Sequence, residues 1–171
     1  MNFAIIVAAG KGRRFGKPDK IFSMLSDKPL IYYTIKKFQD CKSIDEIVIV
    51  TQKNSFRKIN EIKKQFNLSK IKKIIEGGNE RQDSVFNGLK SLNAKSNDVV
   101  VVHNATNPLV RVEEITECIS AAKKHGAAVA GFPLKDTIKK IKNNFVEKTL
   151  DRKDIFQVQT PQAVKYGLFA D

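Results

Sequence analysis

Apolar residues along the chain fall into short continuous runs, separated by stretches in which apolar positions recur every three or four residues. The runs Phe3–Ala8 (FAIIVA), Glu46–Thr51 (EIVIVT), Lys72–Ile75, Val99–His103 (VVVVH) and Ala127–Phe132 predict strands. The stretches Lys28–Asp40, Phe56–Phe66, Ser84–Leu92 and Val112–His125 predict helices; the last places Val112, Ile115, Cys118, Ile119 and Ala122 on one face, with Gly126 just past its end. Strands built of Val and Ile throughout, rather than in alternation, are buried on both faces. Interleaved with helices they predict an α/β fold with a doubly wound, mostly parallel sheet. Beyond Pro133 the pattern changes. Thr137–Ile141 and Val146–Leu150 predict two strands joined by Lys142-Asn143-Asn144, so a β-hairpin arm is expected to protrude at about residues 135–160. No repeat, linker or low-complexity stretch divides the chain, and residues 1–171 read as a single domain.

Composition narrows the classes. The chain has 171 residues, 42% of them hydrophobic, enough for a real core and too apolar for a disordered segment. No apolar stretch reaches the roughly 18 residues of a membrane helix, so no membrane partner is expected. Met1-Asn2-Phe3 leads straight into the first strand with no basic leader. Cys41 and Cys118 stand far apart without metal-ligand spacing, which fits a reducing cytoplasm and no role for either. Lys+Arg number 31 against 18 Asp+Glu, a net charge of +13. The basic stretches Lys53–Lys73 and Lys135–Lys148 are interleaved with Ile, Phe and Asn at amphipathic spacing and carry no nucleic-acid-binding signature. They read as solvated surface, and no nucleic-acid partner is expected.

The first strand runs into Ala8-Ala9-Gly10-Lys11-Gly12-Arg13-Arg14-Phe15-Gly16. In an open α/β sheet ligands bind beyond the carboxyl ends of strands, and glycines there let backbone N–H groups approach phosphate. Phe15 stands where a dinucleotide fingerprint needs its third glycine. Lys11 and Pro18 occupy the positions where a P-loop needs Gly and Ser/Thr. What remains is a cationic loop with Lys11, Arg13, Arg14, Lys17 and Lys20. Taken alone, it leaves phosphate binding and an ordinary basic loop both open.

Ala8-Ala9-Gly10-x-Gly12-x-Arg14 followed by Lys20 resembles the signature of sugar-nucleotide pyrophosphorylases and cytidylyltransferases. Four more segments sharpen the resemblance: Gly77-Gly78-Asn79-Glu80-Arg81-Gln82-Asp83-Ser84-Val85, Val102-His103-Asn104-Ala105-Thr106-Asn107-Pro108, Lys135-Asp136-Thr137-Ile138-Lys139, and Asp151-Arg152 with Gln159-Thr160-Pro161-Gln162. Together they resemble the 2-C-methyl-D-erythritol 4-phosphate cytidylyltransferases of non-mevalonate isoprenoid synthesis. Ribitol-5-phosphate cytidylyltransferases share most of these motifs and stay open as the alternative, as do a cytidylyltransferase for another polyol phosphate and an inactive CTP-binding homologue. The implied fold is a Rossmann-like, glycosyltransferase-A-like nucleotidyltransferase.

The resemblance implies a reaction in which a sugar-phosphate oxygen attacks the α-phosphorus of CTP and expels pyrophosphate. Positioning and cationic stabilisation are then the main work of the side chains. It assigns Arg14, Lys20 and Arg152 as catalytic. CTP falls to Ala8, Ala9, Gly10, Gly12, Gly78, Asn79, Ser84 and Ala105, and the acceptor to Asn104, Asn107, Thr137, Lys139, Arg152 and Thr160. Ser84 is also placed to cap the helix that follows, with Asp83 competing, and Arg81 to hold the loop through a salt bridge. Mg²⁺ is implied, carried largely by the triphosphate, and the arm implies a homodimer in which Lys139–Lys148 helps complete the neighbour's site. The family reads His-Asp-x-x-Arg-Pro where this chain has His103-Asn104-Ala105-Thr106-Asn107-Pro108. Asn104 keeps an acceptor oxygen without the charge, making it a weaker Mg²⁺ ligand, and Asn107 replaces a cation. The chain ends at Gly167-Leu168-Phe169-Ala170-Asp171, where the family begins its last helix. The resemblance therefore implies that a final strand, a helix and a phosphate-positioning lysine lie outside this sequence, with apolar sheet edge and face left bare.

Overall fold

A computed structural model describes residues 1–10 and 20–169. Strand β1 (Asn2–Val7) is followed by a short hairpin of β2 (Met24–Leu25) and β3 (Lys28–Pro29), then α1 (Leu30–Asp40), β4 (Glu46–Thr51), α2 (Phe56–Gln65), β5 (Ile71–Glu76), α3 (Arg81–Lys90), β6 (Val99–Asn104), α4 (Val112–His125) and β7 (Ala127–Pro133). The arm is β8 (Lys139–Lys142) with β9 (Phe145–Thr149), and β10 (Phe156–Lys165) returns to the sheet. The six-stranded sheet has the order β5-β4-β1-β6-β10-β7. Pairings among β5, β4, β1 and β6 are parallel, and β10 runs antiparallel to both β6 and β7. The mostly parallel α/β sheet expected from the sequence is present, with one antiparallel strand inserted that the apolar pattern did not reveal.

Both faces of β1 are buried, which is why it is apolar throughout. Ala4 and Ile6 join one core with Ile31, Ile35 and Phe38 of α1, Ile59 of α2 and Ile115 of α4. Ile5 joins the other with Val48, Val100 and Leu89 of α3. The helix expected from Lys28 begins instead at Leu30. Pro29 is extended at ψ 144° before it, and the residue preceding a proline is driven out of the helical region. The strands of the arm lie about two residues from their expected limits, so Thr137 falls outside β8. Of the expected turn Lys142-Asn143-Asn144, Lys142 pairs with Phe145 inside the hairpin, and Asn143 and Asn144, with φ of 49° and 65°, form a two-residue connection that Asn tolerates. Gly126 closes α4 with φ of 94°, its N–H on the Ala122 carbonyl. Gly126→Ala is expected to lower stability by about 1–2 kcal/mol in chemical denaturation, because a Cβ strains that backbone and meets Leu168 at 3.2 Å.

Candidate active site

The carboxyl ends of β1, β4, β5 and β6 deliver their loops to one edge of the sheet. Ala8, Ala9 and Gly10 follow β1, and Gln52 and Lys53 follow β4. Gly77, Gly78 and Asn79 follow β5, and Ala105, Thr106 and Asn107 follow Asn104 at the end of β6. A cavity of about 540 Å³ opens among Ala9, Gln52, Lys53, Glu76, Gly78 and Asn79. Its walls are close-fitted: a Cβ on Gly77 would lie 2.3 Å from Ala9 Cβ and 2.8 Å from Ser84 Oγ. The Gly78 N–H donates to Ser84 Oγ at 3.1 Å, and that hydroxyl donates to the Glu80 carbonyl at 3.1 Å. Ser84 therefore braces the loop from inside α3 and does not cap it. The helix starts three residues earlier, where the Glu80 N–H donates to the Asp83 carboxylate at 3.0 Å.

Arg81 makes no salt bridge to a described residue. Its Nε donates to Asn104 Oδ1 at 3.2 Å and its Nη2 to Gln162 Oε1 at 3.3 Å, tying the loop after β5 to the end of β6 and to β10. Asn107 Nδ2 donates to Thr160 Oγ1 at 3.4 Å, in the stretch of β10 where its register against β7 shifts. A second cavity, about 760 Å³, lies beside them against α4 and β7, lined by Asn107, Thr160, Glu114, Glu117, Val129 and Phe132 among others. Ala105 is fully buried, its N–H on the Val7 carbonyl and its own carbonyl on Thr34 Oγ1 at 2.9 Å. Both its polar groups serve the fold.

Of the remaining predicted residues, Lys20 opens a 3₁₀ turn, Lys20–Phe22, which packs against α1. Arg14 and Gly12 lie outside the described residues. Thr137, Lys139 and Arg152 belong to the arm and make no hydrogen bond to Asn104, Asn107 or Thr160. Lys139 donates to Thr149 Oγ1 at 2.7 Å, and Arg152 reaches the Lys135 carbonyl at the arm's base. Gln52 and Glu76 carried no expectation from the sequence, Gln162 appeared there only within a quoted segment, and Lys53, expected as solvated surface, lies in the cavity wall. The rule that ligands gather beyond strand ends singles out the residues after Thr51 and around Glu76 once the strands are known. No group of three His, Cys, Asp or Glu placed to hold a metal occurs among the described residues.

His103 anchors the β6 loop from below. It is fully buried beside Phe38, and its Nε2 lies 3.0 Å from the Asn107 carbonyl. A carbonyl only accepts, so Nε2 carries the proton while Nδ1 has no partner. Burial, the largest influence, pushes its pKa down to about 4. The folded pKa lies below the unfolded value of about 6.5, so the unfolded chain takes up the proton first. His103 thus leaves stability intact at neutral pH and removes roughly 3 kcal/mol as the pH falls from about 6.5 to about 4. The Asp98 and Glu114 carboxyls are held below their usual range, chiefly by backbone N–H groups of Lys95 and Arg111, so their contributions fade at lower pH still. Urea unfolding across that window is expected to show the loss in the parent protein and a flat response in His103→Gln.

The mostly parallel α/β sheet, with a glycine-walled cavity at its strand ends, has the architecture of a nucleotidyltransferase. The family described as IspD, 2-C-methyl-D-erythritol 4-phosphate cytidylyltransferase, matches residues 2–171, and this chain belongs to it. A relative of that name from Clostridium botulinum (strain Langeland) is 45% identical over 173 residues, covering 99% of this chain and 75% of its own length. One from Clostridium tetani is 44% identical, covering 98% and 68%. Among solved structures, the 4-diphosphocytidyl-2C-methyl-D-erythritol synthase of Anaerococcus prevotii superposes with a TM-score of 0.84 at 30% identity, covering 98% of this chain and 71% of its own. The Francisella tularensis cytidylyltransferase gives 0.77 at 30% identity, covering 97% and 73%.

Proposed function

We propose that this protein transfers CMP from CTP to 2-C-methyl-D-erythritol 4-phosphate. An oxygen of the acceptor's phosphate attacks the α-phosphorus, the bond from that phosphorus to the bridging oxygen breaks, and pyrophosphate leaves. The observation that carries this reading is the pairing of the glycine-walled cavity with the Asn104–Asn107 loop on one sheet edge, in a chain 45% identical to a cytidylyltransferase of that name. The cavity takes the cytosine and ribose against Ala8, Ala9, Gly10, Gly78 and Asn79, with Ser84 fixing the loop. Ala105 shapes the floor. Lys20, with Arg14 and Gly12, serves the triphosphate, where compact and forked cations match a polyanion. Asn104, Asn107 and Thr160 face the acceptor. Thr137, Lys139 and Arg152 act from the arm of a second copy, in a homodimer within the cytoplasm. Support for that pairing comes from the arm's exposed apolar residues, Phe145, Val146 and Ile141, which a lone hairpin has no means of burying.

Mg²⁺ is the expected divalent ion, and it supplies charge neutralisation on the triphosphate. Asn104 suits it poorly, since its amide oxygen already accepts from the Arg81 guanidinium. The triphosphate oxygens of CTP would then be the ion's main ligands. The test is pyrophosphate release with CTP, Mg²⁺ and each candidate acceptor. Release with methylerythritol phosphate is expected at a kcat/KM at least about 10-fold above that with ribitol 5-phosphate. No release with either acceptor, despite calorimetric CTP binding, leaves a nucleotide-binding protein without this activity.

A further inference from the structure

Arg81 opens α3 two residues beyond Asn79 of the cavity wall, its side chain reaches Asn104 of β6 and Gln162 of β10, and its electrostatic situation is unusual. It is exposed and stands at the first position of α3, where the helix dipole disfavours a cation. A cation so placed is ordinarily neutralised by a carboxylate. Here both acceptors, Asn104 Oδ1 and Gln162 Oε1, belong to neutral amides. The nearest acidic residues in sequence are Glu80 and Asp83, and the Asp83 carboxylate is occupied by the Glu80 N–H. No ion pair joins Arg81 to any described carboxylate. A guanidinium keeps its charge at every physiological pH and has five N–H donors, of which these two bonds use two. The result is an oriented cation with donors to spare, held between the loop after β5 and the Asn104–Asn107 loop.

We infer that Arg81 binds a phosphate group of the bound substrates, and that Asn104 is the residue that keeps it available by orienting it without neutralising it. The inference rests on the cytidylyltransferase reading and adds a substrate-binding residue to it. Both substrates bring phosphate, so the chemistry is shared and the source is a matter for measurement. Asparagine at 104 then has a purpose: it holds the guanidinium in place, whereas a carboxylate there would form the ion pair and spend the charge. Arg81 as a simple clamp between β6 and β10 makes the opposite prediction, because an aspartate at 104 would strengthen the clamp.

The experiment is a double-mutant cycle on the full chain with Arg81→Gln, Asn104→Asp and the pair, measured by pyrophosphate release at saturating Mg²⁺ alongside calorimetric CTP binding. Arg81→Gln is expected to lower kcat/KM by about 30-fold, as loss of a charged hydrogen-bond partner does. Arg81→Lys, which keeps charge without the fork, is expected to fall between. Asn104→Asp should lower kcat/KM by about 10-fold alone, and by less than about 3-fold once Arg81 is gone, the non-additivity of two groups acting through one another. A raised KM for methylerythritol phosphate with unchanged CTP binding assigns the acceptor's phosphate, and weakened CTP binding assigns the nucleotide's. Arg81→Gln within about 2-fold of the parent, or Asn104→Asp at or above parental activity, overturns the inference. So does an equal loss in both backgrounds, which plain charge repulsion would give. Each of these results requires a parent that turns over; a parent that neither binds CTP nor releases pyrophosphate instead overturns the functional reading, and the role of Arg81 with it.

Discussion

Lys20→Ala is expected to lower kcat by about 10²–10³-fold. The turn that carries Lys20 is fastened by the Ser23 N–H on the Lys20 carbonyl and by the Leu30 N–H on the Ser23 carbonyl, bonds of 3.1 and 2.9 Å that need no side chain at 20. What is lost is an ammonium where negative charge spreads over phosphoryl oxygens as the pyrophosphate departs. Preorganised groups aimed at developing charge are worth roughly 3–4 kcal/mol, and the loss falls on kcat because the interaction grows toward the transition state. Steady-state kinetics check this. A fall in kcat below about 3-fold removes Lys20 from the chemical step.

The second large effect is steric. Gly77 has no need of an unusual φ, so its requirement is for space. A methyl group there would sit 2.3 Å from Ala9 Cβ and 2.8 Å from Ser84 Oγ, and both belong to elements fastened by their own hydrogen bonds. Gly77→Ala must push the β1 loop away from α3, opening the cavity between them and breaking the Ser84 brace on Gly78. CTP affinity is expected to fall at least about 30-fold and stability by about 1–3 kcal/mol, the usual cost of overpacking. Calorimetric CTP titration and urea unfolding measure the two separately. Unchanged CTP affinity would place the nucleotide elsewhere.

The sequence made most of the parallel framework legible because each strand of it is buried on both faces. Glu46–Thr51 and Val112–His125 have the expected limits, and Gly126 ends α4 as its position foretold. β10 was illegible for the converse reason. Its middle reads Gln157-Val158-Gln159-Thr160-Pro161-Gln162, a mostly polar stretch, and the strand's place in the sheet comes from partners about 30 and 60 residues back in the chain, on β7 and β6. Capping, one of the two roles open to Ser84, falls away because the reciprocal pairing of Glu80 and Asp83 starts the helix earlier. At the site, the glycine-bearing segments could be found by their spacing. The Arg81–Asn104–Gln162 connection could not, since it joins residues 23 and 81 apart with no local pattern. The net charge of +13 takes on a narrower meaning in this light. Lys20, Arg81 and Arg152, with Arg14, have phosphate-handling roles in this account; Lys36, Arg57 and Lys140 are exposed and paired with surface carboxylates.

Phosphorus NMR of the unmodified protein with CTP, Mg²⁺ and methylerythritol phosphate tests the transfer itself most directly. The acceptor's monophosphate signal and the triphosphate signals of CTP are expected to decline together, replaced by free pyrophosphate and a matched pair of diphosphate-diester resonances in equal amount. Unchanged spectra, or CTP consumed while the acceptor signal persists, would contradict it.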